Sequence, residues 1–134
     1  MGYESKIVIV ERCEMPAPNG NILVWGNELA RFDLAKMGYE TVNGKTFPKA
    51  FTNPIDFDLY VDENSNETGS EYFRTDKYGD HCNWATVDEV IAWLEGASDD
   101  IKRYRRAALF LDFLRVLREH EKDYEQVCVV HYGY

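Results

Sequence analysis

Residues 55–62 have the sequence IDFDLYVD, in which apolar and polar side chains alternate without a break. A period of two is typical of a β-strand, because successive side chains of an extended chain point to opposite faces. The pattern predicts a strand over Ile55–Asp62, with one face on the core and the other in water. The polar residues 63–70 predict a flexible turn, and Glu71–Lys77 predicts the returning partner strand.

Further strands are predicted on the N-terminal side of this hairpin. Lys6–Val10 is a β-branched run that indicates a buried strand. Ile22–Trp25 and Leu29–Leu34 are two strand-like pieces, and the Gly26-Asn27 pair between them fits either a tight hairpin turn or a bulge. A helix over residues 27–37 is the alternative, because several apolar residues there are nearly helically spaced. We favour the strand.

The helices are predicted in the C-terminal half of the chain. Thr86–Glu89 has the sequence TVDE, a capping box that marks the start of one helix. A second helix is predicted to begin at Ser98 or Asp99 and to end near Lys122. Gln126–Tyr132 then predicts a final apolar strand.

These elements predict a single α+β domain over residues 1–134, with a mainly antiparallel sheet and two helices packed on one face. The order is β-β-β-β-α-α-β. The first and last strands are the most apolar, so both are expected in the middle of the sheet, as neighbours. No apolar run approaches the ~20 residues that span a bilayer. The N-terminal run of four or five apolar residues does not resemble a signal peptide, so we expect a cytoplasmic protein that binds no membrane.

Charge is distributed unevenly along the chain, whose formal net charge is −9. Residues 54–100 hold thirteen carboxylates against Arg74 and Lys77, a net of −11, whereas residues 101–134 have a net of +2. An acidic field repels phosphate backbones. We therefore expect no direct binding of nucleic acid.

The acidic strand supplies the leading functional hypothesis. Asp56, Asp58, Tyr60 and Asp62 share its polar face, and Glu71 lies on the predicted partner strand. Alternate residues of a strand stand ~6.5–7 Å apart, a spacing similar to that of phosphates along a DNA strand. These five residues are the predicted contact surface for a basic host protein. The alternative is a solvated sheet face whose charges discourage edge pairing.

The second hypothesis is a small enzyme assembled around His81 and Cys82, a base beside a thiol. Its alternative is a loop histidine next to a half-buried structural thiol. The three cysteines form no CxxC pair, and the sequence lacks HxxxH. Asp62–Glu67 begins like a calcium-binding EF-hand loop but lacks the required glycine and the final glutamate. We therefore predict no metal and no cofactor.

The third hypothesis is a homodimer of structural role, formed through Ala107–Leu117. This run is apolar almost all the way round, with Asp112 and Arg115 as its only polar residues. Such a helix is buried on more than one side, and one of those sides could contact a partner. Complete burial beneath the loop 43–53 is the alternative. Asp112 is expected on the outer face, paired with Arg115 or Arg105; a buried Asp112 would instead be a functional candidate.

Four short phrases carry a resemblance: MGYESKI at 1–7, FDLAKMG at 32–38, DKYG at 76–79 and HYGY at 131–134. Together they resemble small, uncharacterised acidic proteins encoded in phages and prophages. The resemblance implies no catalytic residues. It implies a setting, because small acidic phage proteins often bind and block a host protein, including nucleases of bacterial defence systems. Anti-CRISPR proteins are one such class.

Overall fold

The computed structural model describes residues 5–34, 41–42, 45–62, 70–97, 104–120 and 126–133. Its helices are α1 (Val87–Glu95), α2 (Arg105–His120) and a short 3₁₀-helix (Phe47–Ala50). Its strands are β1 (Ser5–Pro16), β2 (Ile22–Asp33), β3 (Thr41–Val42), β4 (Lys45–Thr46), β5 (Asn53–Pro54), β6 (Leu59–Asp62), β7 (Ser70–Phe73), β8 (Asn83–Thr86) and β9 (Val127–Gly133).

The main sheet is antiparallel and has five strands in the order β2-β1-β9-β8-β5. Its centre is the β1–β9 pair, which runs in register from Ser5 opposite Gly133 to Glu11 opposite Val127. Every residue of β9 is buried. The predicted α+β class is confirmed, as is the expectation that the first and last strands are central neighbours.

One face of the sheet packs on both helices, as predicted. Ile7, Ile9, Val127 and Val129 contribute to the core shared with α1 and α2. Phe32 ties β2 to α2, with its ring centroid 5.1 Å from that of Phe110. The helix start that the capping box predicts is also confirmed, although Glu89 Oε1 accepts from the Thr86 hydroxyl and not from its backbone N–H. Thr86 Oγ1 accepts from the Glu89 backbone N–H at 3.1 Å, which satisfies a group that the helix itself leaves unpaired.

The opposite face of the sheet is covered by residues 55–60, which are called the cover segment below. Ile55, Phe57 and Leu59 are buried against a core made by the other side of β1 and β9: Val8, Val10, Cys128, Val130 and Tyr132. The prediction of one strand over Ile55–Asp62 is wrong in its bonding, since only Leu59–Asp62 forms a strand. The alternation survives because burial of every second residue needs an extended chain but not a neighbouring strand.

Strands β1 and β2 are both longer than predicted and pair as a hairpin. Ile22–Asp33 is one strand, so the hairpin turn at Gly26-Asn27 is wrong. The alternative helix over 27–37 is wrong for residues 27–33, and residues 35–37 lie outside the described residues. The register shift falls between Ile9 and Val10, which leaves Leu29 as the extra residue of a bulge. β1 likewise continues to Pro16, beyond the predicted end at Val10, because β2 pairs with it over that whole length.

Other boundaries differ as well. β8 was not predicted; it pairs with β9, and its four residues are too few to show a period. β7 ends at Phe73, and not at Lys77, because the chain turns at Asp76, whose Oδ1 accepts from the backbone N–H groups of Tyr78 and Asp80. Residues 63–69 of the predicted turn, the predicted start of the second helix at Ser98 or Asp99 and its predicted end near Lys122 lie outside the described residues.

Gly26 faces the cover segment directly. A Cβ added there would lie 2.7 Å from Cε2 of the buried Phe57 ring. We expect Gly26→Ala to lower the free energy of unfolding by about 1–3 kcal/mol, because the ring must leave its packed position. Urea unfolding checks this, and Phe57→Leu in the Gly26→Ala background should recover part of the loss. Equal costs of Gly26→Ala with and without the Phe57 ring would contradict this contact.

Candidate partner-binding surface

The structure places the acidic residues of the cover segment on its outer side. Asp56, Asp58 and Tyr60 are exposed, while the residues between them are buried. Asp62 and Glu71 belong to the β6–β7 hairpin, where Val61 is opposite Glu71, but their side chains lie outside what the structure describes. The name "acidic row" is used below for Asp56, Asp58, Tyr60 and Asp62.

Two carboxylates of the acidic row are held by arginines from other parts of the chain. Arg12 Nη2 donates to Asp56 Oδ2 at 2.6 Å, and Arg12 Nε donates to both carboxylate oxygens at 3.1 Å. Arg74 Nε donates to Asp58 Oδ1 at 2.9 Å. The hydrogen bonds from Arg12 lower the pKa of Asp56 against the opposing effect of its partial burial. Each of these aspartates therefore lies beside an arginine that restricts the position of its carboxylate.

These ion pairs do not cover the carboxylates. The Asp56 side chain is 52% exposed and that of Asp58 is 58% exposed. Arg12 is moreover shared, because its Nη1 also donates to Glu14 Oε2 at 3.0 Å. One guanidinium thus serves two carboxylates, and the surface around it stays net negative. The row is not a bare line of negative charges like a phosphate backbone, since arginines lie beside two of its members.

His81 and Cys82 do not form the predicted base–thiol pair. His81 is exposed, and its Nδ1 donates to the backbone carbonyl of Cys82 at 2.8 Å. The Cys82 side chain belongs to the core under the cover segment, where burial raises the pKa of the thiol to about 12. A thiol in that state supplies almost no thiolate at neutral pH. The alternative, a loop histidine beside a structural thiol, fits this arrangement.

A second histidine comes close to His81 instead. His131 is buried in β9, and both histidines line a cleft of about 690 Å³ whose other charged residues are Lys49, Asp76 and Asp80. His131 Nε2 lies 3.0 Å from Ser5 Oγ, and the rings of Phe47 and Phe51 pack beside it. Burial lowers the pKa of His131 to about 4, so the ring is neutral at physiological pH. Sequence reasoning did not predict that His81 and His131 line one cleft, because this depends on the unpredicted pairing of β8 with β9.

Helix α2 is only partly covered. Its inner face is buried, but Leu109 and Val116 are exposed, so complete burial of the run 107–117 is wrong. Asp112 lies on the outer face, with its Oδ1 3.6 Å from Arg115 Nη1, as expected. The outer side of the helix therefore presents two apolar side chains, Leu109 and Val116, beside charged residues.

The β1–β2 hairpin extends beyond the sheet as an arm, which sequence reasoning missed. β9 begins opposite Glu11, whereas β1 and β2 stay paired from Arg12 opposite Gly26 to Pro16 opposite Ile22. We call residues 12–16 and 22–26 the arm. Several of its apolar side chains are exposed: Met15, Ile22, Leu23 and Trp25. The apolar run 22–25 predicts a strand, which is confirmed, but it does not indicate that the strand extends beyond the sheet.

Comparisons with known proteins indicate no function for this chain, so the function is inferred from the chemistry of its surface. No family model, curated protein or solved structure matches the chain. Within the described ranges, no group of three His, Cys, Asp or Glu side chains converges to hold a metal ion. Neither α1 nor α2, the α-helices of the described residues, is long and apolar enough to cross a membrane.

The cysteines provide a direct test of the buried thiol. With iodoacetamide at pH 8, we expect Cys13 to be alkylated in the folded protein, because its side chain is half-buried and lies outside the core. Cys82 and Cys128 should react only after unfolding, since burial raises the pKa of Cys128 to about 11 as well. Peptide mass spectrometry distinguishes the sites. Rapid alkylation of Cys82 in the folded chain would restore the catalytic-thiol hypothesis.

His131 predicts a pH dependence of stability. The unfolded chain takes up a proton on this residue near pH 6.5, whereas the folded chain does so only near pH 4. Stability must therefore fall as the pH drops through this window, by up to about 3 kcal/mol. Urea unfolding of wild type and His131→Phe between pH 7 and 4.5 measures the difference, in which the carboxylate contribution cancels. The same pH slope in both proteins would contradict a buried neutral His131.

Proposed function

We propose that this protein is a non-enzymatic, phage-type accessory protein that binds a basic host protein through the acidic row and Glu71. It would act in the cytoplasm of the host cell. The proposed targets are proteins that handle nucleic acid, including nucleases of defence systems of the CRISPR type, because such proteins carry the basic surfaces that normally contact phosphates. Binding there would block access of the nucleic acid.

The observation that carries the proposal is the exposure of Asp56, Asp58 and Tyr60 on the outside of a segment whose other side is core. A surface anchored in this way keeps its shape when a partner binds. The ion pairs with Arg12 and Arg74 further restrict the carboxylates, so little side-chain entropy is left to lose on binding.

Electrostatics adds to this. Complementary charge speeds association and suppresses wrong partners, and it is weakened by salt. Tyr60 places an aromatic ring, 39% exposed, within the acidic row. Tyrosine is enriched among the residues that contribute most to protein–protein binding. The combination of fixed carboxylates and one aromatic side chain suits a partner rich in arginine and lysine.

The test is capture of partners from bacterial lysate at low and high salt, with a variant in which Asp56, Asp58 and Asp62 are all changed to asparagine. We expect wild type to retain a basic nucleic-acid-handling protein at low salt and to lose it at high salt. The variant should retain at least about tenfold less, because its three charges are gone while the shape is kept.

The matched control carries Glu95→Gln, Asp112→Asn and Glu119→Gln. It changes the net charge by the same amount on the helical side, where Glu95 and Asp112 both face Arg115. We expect it to bind like wild type, and thermal unfolding should show that both variants fold, since exposed ion pairs contribute little to stability. Equal losses of binding in the two variants would show that binding depends on net charge and not on the acidic row. No loss of binding in either variant would refute the proposal.

A further inference from the structure

We propose that the arm is a second contact surface for the same partner, and that it takes an apolar segment carrying basic residues. The proposal rests on the proposed function, because the partner is the same basic protein. The contact itself differs: the acidic row offers charge on the cover segment, whereas the arm offers apolar side chains at the edge of the sheet.

One face of the arm is apolar across both strands. Cys13 is directly opposite Trp25, and Met15 is directly opposite Leu23. Residues opposite one another in an antiparallel pair point to the same face, so the four side chains form one patch. Much of this patch is in water, since Met15 is 49%, Leu23 is 52% and Trp25 is 43% exposed. Clustered apolar side chains on a projecting ribbon are typical of a protein-binding surface.

A groove at the base of the arm adds specific chemistry. It has a volume of about 710 Å³ and is lined by two tryptophans, Trp25 and Trp84, and by three charged residues, which are Glu11, Glu14 and the Arg12 that pairs with Glu14. Tryptophan faces attract cationic side chains, and carboxylates pair with them. An arginine or lysine next to apolar residues of a partner matches both features of the groove.

The arm is held rigidly enough to act as a template. Arg12 lines the groove and also binds Asp56, so the groove is continuous with the acidic row. Gly26 lets the Phe57 ring pack directly on the arm backbone. The arm is thus fixed on the side of the cover segment, and its apolar side remains available to a partner.

Charge favours a basic partner over a second copy of this chain. Two copies meeting through this patch would bring Glu11 of each molecule together, because Glu11 shares the face of Cys13 and Met15, and each chain already has a net charge of −9. Like charges brought together at an interface oppose association. A basic segment instead gains from the same glutamates.

The test uses a synthetic amphipathic peptide of leucine and lysine as the probe, titrated into the full chain by calorimetry. We expect the peptide to bind wild type, and Leu23→Gln with Trp25→Gln to weaken binding at least about tenfold, because both anchors are lost. Glu11→Gln with Glu14→Gln should weaken binding several-fold at low salt and have no effect at high salt. A peptide with glutamate in place of lysine should not bind.

The matched control is Leu109→Gln with Val116→Gln, which removes two exposed apolar side chains from α2. It should leave binding unchanged, because both residues lie on α2 and outside the arm. If the arm variants bind the peptide like wild type, the arm is not a contact surface. The proposed function still stands in that case, provided that the acidic-row variant loses its partner. If the acidic-row variant keeps its partner while wild type binds the peptide at the arm, the proposed function fails and the arm remains a binding surface.

Three other outcomes would overturn the proposal. These are equal binding of the glutamate peptide, no binding of the lysine peptide, and a dimer in light scattering that the Leu23→Gln and Trp25→Gln changes dissolve. The last would identify a second copy as the occupant of the arm.

Discussion

The structure depends on burying both faces of the central β1–β9 pair. Val8, Val10, Val130 and Tyr132 point away from the helices and need a cover of their own. No helix among the described residues provides it. An extended segment does, by inserting Ile55, Phe57 and Leu59. Burial of large apolar side chains of this kind stabilises a domain by about 1.5–3 kcal/mol each, so this thin cover makes a substantial contribution to the core.

The same requirement creates the candidate surface. An extended cover that buries every second residue must expose the residues between, and here those are Asp56, Asp58 and Tyr60. Arg12 comes from the arm and Arg74 from the chain after β7, so the two ion pairs tie three parts of the molecule together at its surface. Exposed pairs stabilise little. Their main consequence is positional, because they fix both the acidic row and the arm beside it.

Sequence patterns predicted the parts of the fold that depend on local chemistry. Apolar periodicity located β1, β9 and both helices, and the capping box fixed the start of α1 at Thr86. Sequence patterns did not predict which extended segments join a sheet. The alternation in Ile55–Asp62 is the same whether the segment is paired with a strand or only packs on a sheet as a cover. The partners of Asp56 and Asp58 were also hidden, since Arg12 is 44 residues from Asp56 in the chain. The thiol hypothesis at Cys82 failed for a related reason: adjacency in sequence does not decide which side of the chain a side chain takes.

We propose that the cover segment and the arm together form one binding surface. Hydrogen exchange of the protein alone and with the partner captured at low salt tests it most directly. We expect the partner to slow exchange in residues 55–60 and in the arm, and to leave exchange along α2 unchanged. Protection confined to α2, or none in residues 55–60, would contradict it.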